Sequence, residues 1–462
     1  MHAPTPELSD LLITQLRADL SGRVVAPADA DYDEARLVPN GAVDGRPAVI
    51  VRPTNADEVS YVVGVARQTG LPLAVRSGGH GGAGHSVADG SIVIDLRDLR
   101  ALEVDVDGRT AWAGTGLTAG EYSTALAEHG LATGLGDTGS VGIGGITLGG
   151  GIGYLVRKYG LTVDDLLAAE IVTADGTLLC VDAEQHPDLF WAIRGGGGNF
   201  GVVTRFKFRL RPVAQIVGGL LILPATPEVI AGFVAAADAA PEELSTIANV
   251  MNCPPLPFVP AEFHGRVILL ARVAYVGDTE DGNRALAPFR ALASPIVDML
   301  KPMPYPDLYP PDDPSYRPKA VTRTTFADHL DVEVAATIVD AIEASDAPVR
   351  VAQLRVLGGA MARVPADATA FAHRSAKIMV TVTTIFDGAH DRAVRTTWAT
   401  DFAAALSQDD AGAYVNFLGD EGEERVRAAY PTATWDRLTT IKTKYDPQNL
   451  FRLNQNVPSA PQ

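Results

Sequence analysis

The chain lacks several features that would place it in other protein classes. Its 462 residues contain only two cysteines, Cys180 and Cys253, too few for a disulfide framework or a cysteine metal site. It has no run of about 18 apolar residues that could span a membrane, and its first twenty residues do not follow the pattern of a secretory signal. Lys and Arg number 38 against 56 Asp and Glu, and the resulting charge of −18 disfavours nucleic acid and anionic membranes as partners. These absences predict a cytoplasmic protein without a metal.

What is present indicates two domains. A chain of this length exceeds what one hydrophobic core usually supports, and its composition changes near residue 214. Before that point, residues 48–75 have the pattern strand, helix, strand, typical of a βαβ unit. After it, apolar runs and amphipathic stretches predict an antiparallel sheet with helices on one face. The predicted strands are Val217–Leu223, Arg266–Val276, Arg350–Leu357 and Ile378–Phe386, and the predicted helices are Glu228–Ala240 and Val332–Ala344. From Leu438 the tail has no strong periodicity, and we expect it to return to the first domain.

The most informative segment is Arg76–His85, which has five glycines and two histidines between apolar runs. Glycines allow positive φ and a close approach of the backbone to a ligand. Successive backbone N–H groups in such a turn can hold an anion. The histidines add a nucleophile or proton carrier that is active near neutral pH. The segment therefore predicts a cradle for a phosphate-bearing cofactor, with an imidazole available for attachment.

Two further glycine clusters follow, at residues 142–153 and 196–201. The spacing G-x-G-x-x-G occurs at 79–84 and again at 196–201, but an apolar strand pattern follows each of them. A nicotinamide-binding Rossmann domain needs a helix at that point, so this class is disfavoured. A single cluster is explained equally well by tight turns. Three clusters within 130 residues favour one extended cofactor in a glycine-lined groove.

Five segments together resemble the FAD-linked oxidases of the vanillyl-alcohol oxidase superfamily, most nearly the berberine-bridge-enzyme-like branch. They are RSGGHGGAGHS at 76–86, DTGSVGIGGITLGGGIGYLVRKYGLTVDDLL at 137–167, LFWAIRGGGGNFGVVTRFKFRL at 189–210, AYVNFLGD at 413–420 and IKTKYDPQNLFRLNQNV at 441–457. The resemblance implies an α+β fold with a PCMH-type FAD-binding domain of two subdomains at residues 1–213. An antiparallel-sheet substrate domain backed by helices would follow at 214–412. A berberine-bridge-type segment at 413–462 would return to the FAD domain.

The resemblance also implies how FAD is held. His80 stands where the family attaches the flavin through an imidazole nitrogen; the alternative is a loop histidine bonded to a phosphate. Many members have a second, cysteine link at the position of Thr138, so we expect mono-covalent FAD here. Val141 stands where valine leaves room for O₂, although a simple packing role explains it equally well. The other expected flavin contacts are Arg76, Ser77, Gly78, Gly79, Gly81, Gly82, His85, Ser86, Gly142, Gly144, Gly145, Gly149, Gly153, Tyr154, Gly201, Val203, Tyr414, Asn416 and Asn454.

The match fails at the catalytic base. Many members have Y-x-N-Y, whose second tyrosine takes the substrate proton, but this chain ends the motif with Phe417. Another base acts, or the substrate needs none, or hydride transfer alone starts the reaction. Besides Tyr414 and Asn416, the candidates are Gln353 and Arg355, which alternate with Leu354 and so share one face of a strand. Weaker candidates, for which a structural role is at least as good an explanation, are Thr381, Thr383, His373, Arg374 and the loop tyrosines Tyr305, Tyr309 and Tyr316.

These features predict an FAD-dependent oxidase. Hydride would pass from an alcohol, sugar, amine or phenolic substrate to flavin N5, and O₂ would be reduced to H₂O₂. One alternative is a flavin dehydrogenase or oxygenase of secondary metabolism that uses another acceptor. The other is a flavin-binding protein without turnover, with which Phe417 is consistent. The expected partners are a small-molecule substrate and O₂, and the sequence names neither the substrate nor the oligomeric state.

Overall fold

The computed structural model describes residues 10–408 and 412–460. The fold is α+β, as predicted, and its helices surround three sheets of four or more strands within these residues. The α-helices are Asp10–Asp19, Tyr32–Ala35, Ala56–Thr69, Ala119–Ala127, Ile143–Leu148, Val156–Tyr159, Pro187–Ala192, Pro227–Ala239, Thr279–Arg290, Val332–Ala344, Ala360–Arg363, Gly388–Leu406, Glu423–Ala428 and Thr432–Tyr445.

The first sheet contains the predicted βαβ unit. Its strands lie in the order Arg23–Val25, Val49–Arg52, Ile92–Asp95 and Leu73–Arg76. The last three are parallel, and helix Ala56–Thr69 makes the crossover between two of them. Because strand Leu73–Arg76 ends where the first glycine cluster begins, the parallel sheet fixes the start of that loop.

The second sheet is antiparallel and carries the other two glycine clusters on its connections. Its strands lie in the order Leu102–Asp105, Thr110–Gly114, Val202–Arg209, Leu166–Val172 and Leu178–Asp182. The short helix Ile143–Leu148 begins directly after Gly142, and the third cluster leads into strand Val202–Arg209. A separate two-stranded pairing joins Leu131–Ala132 to Arg211–Pro212.

The third sheet is antiparallel and has eight strands. They are Val297–Asp298, Ile216–Pro224, Val267–Tyr275, Leu244–Asn252, Arg350–Val356, Ile378–Ile385 and Ala320–Ala327 in spatial order, with Lys301–Met303 also paired to Ile216–Pro224. One face packs against helices Pro227–Ala239, Thr279–Arg290, Val332–Ala344 and Gly388–Leu406 in a continuous apolar core. The sheet backed by helices on one face agrees with the expected fold class.

One strand of this sheet and its longest helix carry no clear sequence pattern. Strand Leu244–Asn252 has Ser245 and Thr246 among its apolar residues, and almost the whole strand is buried, so alternation is lost. Helix Gly388–Leu406 buries two alanines, two large apolar side chains and Arg395, which gives a weak helical stripe. The secondary structure of both elements is therefore determined by the strands and helices that they pack against.

The tail contains the helix Thr432–Tyr445, although its sequence shows little periodicity. Leu438 and Ile441 from this helix, with Val457 after it, join the apolar core formed by the second sheet. The tail thus packs against the part of the chain that carries the glycine clusters. The exact domain boundaries at 213 and 412 remain predictions.

No helix in residues 10–408 and 412–460 is long and apolar enough to cross a membrane. The same residues include no group of three or more His, Cys, Asp or Glu side chains placed to hold a metal ion.

Candidate active site

A cavity of about 370 Å³ lies where the glycine clusters, the eight-stranded sheet and the tail meet. All three glycine clusters contribute to its wall, and so does the tail from Tyr414 onward. The predicted site residues that line it are Arg76, Ser77, Gly78, Gly79, His80, Gly81, His85, Ser86, Thr138, Val141, Gly142, Gly144, Gly145, Gly201, Val203, Arg355, Tyr414, Asn416 and Asn454. Most of the site predicted from separate motifs therefore surrounds one cavity.

Glycines in the first two clusters allow their backbones to touch. A Cβ on Gly142 would lie 2.1 Å from Ser77 Oγ and 2.2 Å from Gly78 N, so no side chain fits there. The Ser77 hydroxyl donates to the Thr115 carbonyl at 2.6 Å and accepts from Gly144 N–H at 3.3 Å. These contacts hold the Arg76–His85 loop against the start of helix Ile143–Leu148.

His80 has the chemical state that attachment to a flavin requires. Its Nε2 is buried and has no hydrogen-bond partner within residues 10–408 and 412–460. Burial lowers the pKa of His80 from 6.5, while a hydrogen bond with the Ser140 backbone acts in the opposite direction. The imidazole is therefore neutral at pH 7 and keeps a lone pair for a nucleophilic reaction. Burial lowers the pKa of His85 as well.

Positive charge collects at Arg76, below the first glycine loop. Its Nη2 donates to the Ala35 carbonyl and to Asp95, each at 2.7 Å. Arg52 and Arg97 pair with the same Asp95 carboxylate, so three guanidinium groups share one negative charge. Arg76 is almost fully buried, and its Nε and Nη1 have no hydrogen-bond partner in the described part of the chain. Unused donors and excess positive charge in a cavity wall fit a pyrophosphate.

The tail closes one side of the cavity through side-chain amides. Asn454 Nδ2 donates to the Gly198 carbonyl at 3.1 Å, and its buried Oδ1 has no partner. Asn199 Nδ2 donates to the Gln455 carbonyl at 3.1 Å. The buried Lys442 ammonium donates to the carbonyls of Asn199 and Phe451 and to Asp446. This network fastens the third glycine cluster to the tail and leaves an acceptor at Asn454 for a ligand.

Tyr414 and Asn416 form a fixed pair under the second glycine cluster. The Tyr414 hydroxyl accepts from Gly151 N–H and from Asn416 Nδ2, both at 2.9 Å, and Asn416 also donates to Ile146. A Cβ at Gly149 would lie 2.1 Å from Asn416 Oδ1, so glycine is needed for this approach. Burial raises the pKa of Tyr414, which keeps the phenol protonated.

The polar face of the eight-stranded sheet contributes a chain of hydrogen bonds. Arg355 donates to Gln353 Oε1 through Nε at 3.0 Å and Nη2 at 2.7 Å, and Gln353 Nε2 donates to Asn249 Oδ1 at 3.0 Å. Arg355 Nη2 also pairs with Asp137 at 2.7 Å. The guanidinium carbon lies 5.0 Å from the centre of the Phe417 ring. Gln353 and Arg355 share a face, as the sequence predicted.

Five predicted site residues do not line the cavity. Gly82 is exposed at the loop surface, and Gln353 lies behind Arg355. Gly149 packs on Asn416, and Gly153 faces the Gly136 backbone. Tyr154 is buried in an apolar cluster with Tyr305 and Leu308. The Gly149, Gly153 and Tyr154 positions support the wall from behind, whereas Ile152 of the same cluster lines the cavity.

The other candidates have structural contacts. Arg374 forms two hydrogen bonds with Asp164 at 2.7 and 2.8 Å, and His373 Nε2 lies 3.0 Å from the Ala429 carbonyl. Thr383 pairs with Thr322, whereas the buried Thr381 hydroxyl has no hydrogen-bond partner.

The loop tyrosines differ among themselves. Tyr309 donates to the Leu135 carbonyl at 2.8 Å and packs edge-on against Tyr305. These two side chains fasten the proline-rich loop, whereas Tyr316 is exposed.

Sequence reasoning did not single out Asp137. It lines the cavity beside Thr138 and pairs with Arg355, which lies 218 residues later. The signal available in the sequence was a carboxylate at the start of a glycine-rich segment. Only its pairing with Arg355 in the structure marks it as a site residue.

The chain matches two known families in sequence. One is described as "FAD binding domain", over residues 47–182, and the other as "Berberine and berberine like", over residues 413–458. The FAD-linked oxidoreductase YgaK of Bacillus subtilis is 31% identical, across 96% of this chain and 98% of its own length. The (R)-6-hydroxynicotine oxidase of Paenarthrobacter nicotinovorans is 29% identical, across 97% and 99%.

The fold comparison agrees with the sequence comparison. The crystal structure of 6-hydroxy-D-nicotine oxidase from Arthrobacter nicotinovorans superposes with a TM-score of 0.84 at 25% identity, covering 99% of both chains. The wild-type BBE-like 1 protein of Physcomitrella patens gives a TM-score of 0.86 at 23% identity, covering 97% of this chain and all of the other. Together with the glycine-walled cavity, these similarities show that the chain belongs to the berberine-bridge-enzyme-like FAD-linked oxidoreductases.

Proposed function

We propose that the protein is an oxidase that carries FAD bound covalently through His80 alone. Its substrate is an alcohol, sugar, amine or phenol that loses hydride from a C–H next to oxygen or nitrogen, and O₂ is the acceptor. The observation that carries the proposal is the His80 Nε2 atom, which is buried, unpartnered and neutral in the wall of the cavity. A buried nitrogen without a hydrogen bond is energetically unfavourable, and a bond to a ligand removes this cost.

The residues around the cavity fit FAD. Arg76 supplies the donors Nε and Nη1 for the pyrophosphate. Ser86 Oγ and Asn454 Oδ1 are buried and unpartnered as well. Thr138 has no nucleophile comparable to a thiolate, so a single link is expected. The cofactor supplies the hydride acceptor when it is bound.

The chain itself positions the substrate. The rigid Arg355 guanidinium, held by Gln353 and by the Ile152 carbonyl at 3.0 Å, presents a fixed charge at the sheet side of the cavity. Phe417 and Ile152 add an apolar surface beside it. Val141 stands in the wall at the second glycine cluster and, we propose, leaves room for O₂.

An anaerobic substrate screen tests this function. Purified holoenzyme is mixed with a panel of sugars, alcohols, amines and phenols, and flavin absorbance is followed. We expect at least one compound to bleach the flavin, and oxygenated buffer to restore it with one H₂O₂ formed per flavin. Bleaching followed by very slow reoxidation would favour a dehydrogenase with another acceptor. No bleaching by any compound would favour a flavin-binding protein without turnover.

A further inference from the structure

The cavity has a single carboxylate among the described residues that form its wall. Six of these residues carry titratable side chains, namely Arg76, His80, His85, Asp137, Arg355 and Tyr414. Guanidinium groups stay protonated and cannot accept a proton. Proton acceptance is therefore restricted to the two imidazoles, the phenol and Asp137.

Two of these four groups are already engaged. The Tyr414 hydroxyl accepts hydrogen bonds from Gly151 N–H and Asn416 Nδ2, and burial raises its pKa. His80 is the flavin link in the proposed function. The surroundings of His85 differ from those of His80 and Tyr414, because the charged group that raises the pKa of His85 is Asp420.

Asp137 is held in place by Arg355. The Arg355 side chain is 3% exposed, and its other nitrogens donate to the Ile152 carbonyl and Gln353. Its Nη2 lies 2.7 Å from Asp137 Oδ2. Among the residues that the structure describes, Asp137 Oδ1 is contacted only by the Thr138 hydroxyl at 3.4 Å, a weak contact. With 23% of its side chain exposed, Asp137 keeps one oxygen available to a molecule in the cavity.

Phe417 meets the same guanidinium. Its ring lies 5.0 Å from the Arg355 carbon, so the ring and the Asp137 carboxylate both contact one fixed group. We propose that Asp137 is the catalytic base for the substrate and does the work that Phe417 cannot do. This proposal rests on the proposed function.

For a substrate with a hydroxyl group, the reaction breaks one C–H bond and one O–H bond. The C–H bond breaks and its electron pair leaves as hydride to the oxidised flavin, which is reduced. The O–H bond breaks and its proton passes to Asp137 Oδ1, while the electrons of that bond form the C=O double bond. Asp137 then returns the proton to water at its exposed edge.

A carboxylate is strong enough for this task only if proton transfer follows hydride loss. A neutral alcohol is a far weaker acid than a carboxylic acid, so prior deprotonation by Asp137 would be unfavourable. As hydride leaves, the oxygen becomes that of a protonated carbonyl, which gives up its proton readily.

The main test is Asp137→Asn in the flavin-loaded protein, with the exposed Asp340→Asn as the matched control. We expect Asp137→Asn to keep its covalent flavin but to slow flavin reduction by the best substrate of the panel by about 10²–10⁴-fold. The control keeps the wild-type rate. Wild-type reduction should fall on the acid side of its pH profile, and this limb should be absent in Asp137→Asn.

A second readout needs no turnover. Asp137 shares the cavity with the flavin, so its ionisation should shift the absorbance of the oxidised flavin in a pH titration, and Asp137→Asn should lack that shift. The groups whose charges interact with Asp137 are Arg355, His80, Tyr154 and Tyr309. Because these groups remain in the variant, a shift that disappears belongs to Asp137.

The outcomes separate this proposal from the proposed function. A flavin-loaded Asp137→Asn protein with wild-type reduction and an unchanged titration overturns the Asp137 assignment. An acid limb that survives in Asp137→Asn and disappears in His85→Asn assigns the base to His85. If no compound reduces the wild-type flavin, the oxidase proposal fails, and the absorbance titration still decides whether Asp137 faces the flavin.

Discussion

The two sides of the cavity are built by different means. On the glycine side, the contacts come from backbone groups, and side chains are absent where they would collide, as at Gly142. On the sheet side, the contacts come from side chains, with Arg355, Gln353 and Asn249 forming a row across adjacent strands. A cofactor shared by a whole family suits the first construction, and a substrate particular to one protein suits the second. Changes on the two sides should therefore have separable effects.

The largest effect is expected on the glycine side, at the flavin link. His80→Ala removes the nucleophilic nitrogen, so covalent attachment should be lost completely. Acid precipitation should then release all FAD into the supernatant, whereas wild-type protein keeps it in the pellet. The exposed His129→Ala is the control and should keep the link. Retention of the flavin mass in His80→Ala would contradict the single attachment at this residue.

Next in size is the contact between the first two glycine clusters. Gly142→Ala places a methyl group against Ser77 Oγ and Gly78 N, and overpacking of this kind costs about 1–3 kcal/mol or more. We expect a lower melting temperature and weaker flavin loading. Gly64→Ala, on an open helix surface, should be neutral or stabilise by up to about 1 kcal/mol. Equal behaviour of the two variants would show that the clusters do not depend on close backbone contact.

On the sheet side, Gln353→Met should impair the substrate reaction and spare the flavin. The change removes two hydrogen bonds to the buried Arg355, each worth about 1.5–3 kcal/mol to a charged group, less what relaxation recovers. We expect kcat/KM to fall with covalent flavin fully retained. Gln353→Glu keeps the acceptor and should restore most activity. Loss of flavin in Gln353→Met would break the separation between the two sides.

The smallest effect concerns O₂. Val141→Leu adds one methylene to the cavity wall, and a methylene in a tight site is worth about 1–3 kcal/mol. Reoxidation of the reduced holoenzyme by O₂ should therefore slow by about tenfold, with substrate reduction little changed. Stopped-flow mixing with oxygenated buffer measures both steps. Val141→Ala makes room and should not slow reoxidation; if leucine has no effect either, Val141 is a packing residue only.

The glycine side could be predicted closely because its information is local. The strand before Arg76, the strand after Gly201 and the missing thiol at Thr138 are read directly from short segments. The βαβ unit and helix Val332–Ala344 were also evident, since their apolar spacing is strong. Gly149, Gly153 and Tyr154 were expected in the cavity because they share a motif with true lining residues, and motif membership does not tell which face a residue takes.

The sequence by itself determined the cofactor class, the α+β fold and most residues of the glycine wall, because short motifs that resemble a known family carry each of them. Only the tertiary structure brought Asp137 to Arg355 and Arg355 to Phe417. Those contacts depend on strand register in the eight-stranded sheet and on the docking of that sheet against the glycine clusters. Residues 218 positions apart meet through packing, and packing leaves no short pattern in the sequence.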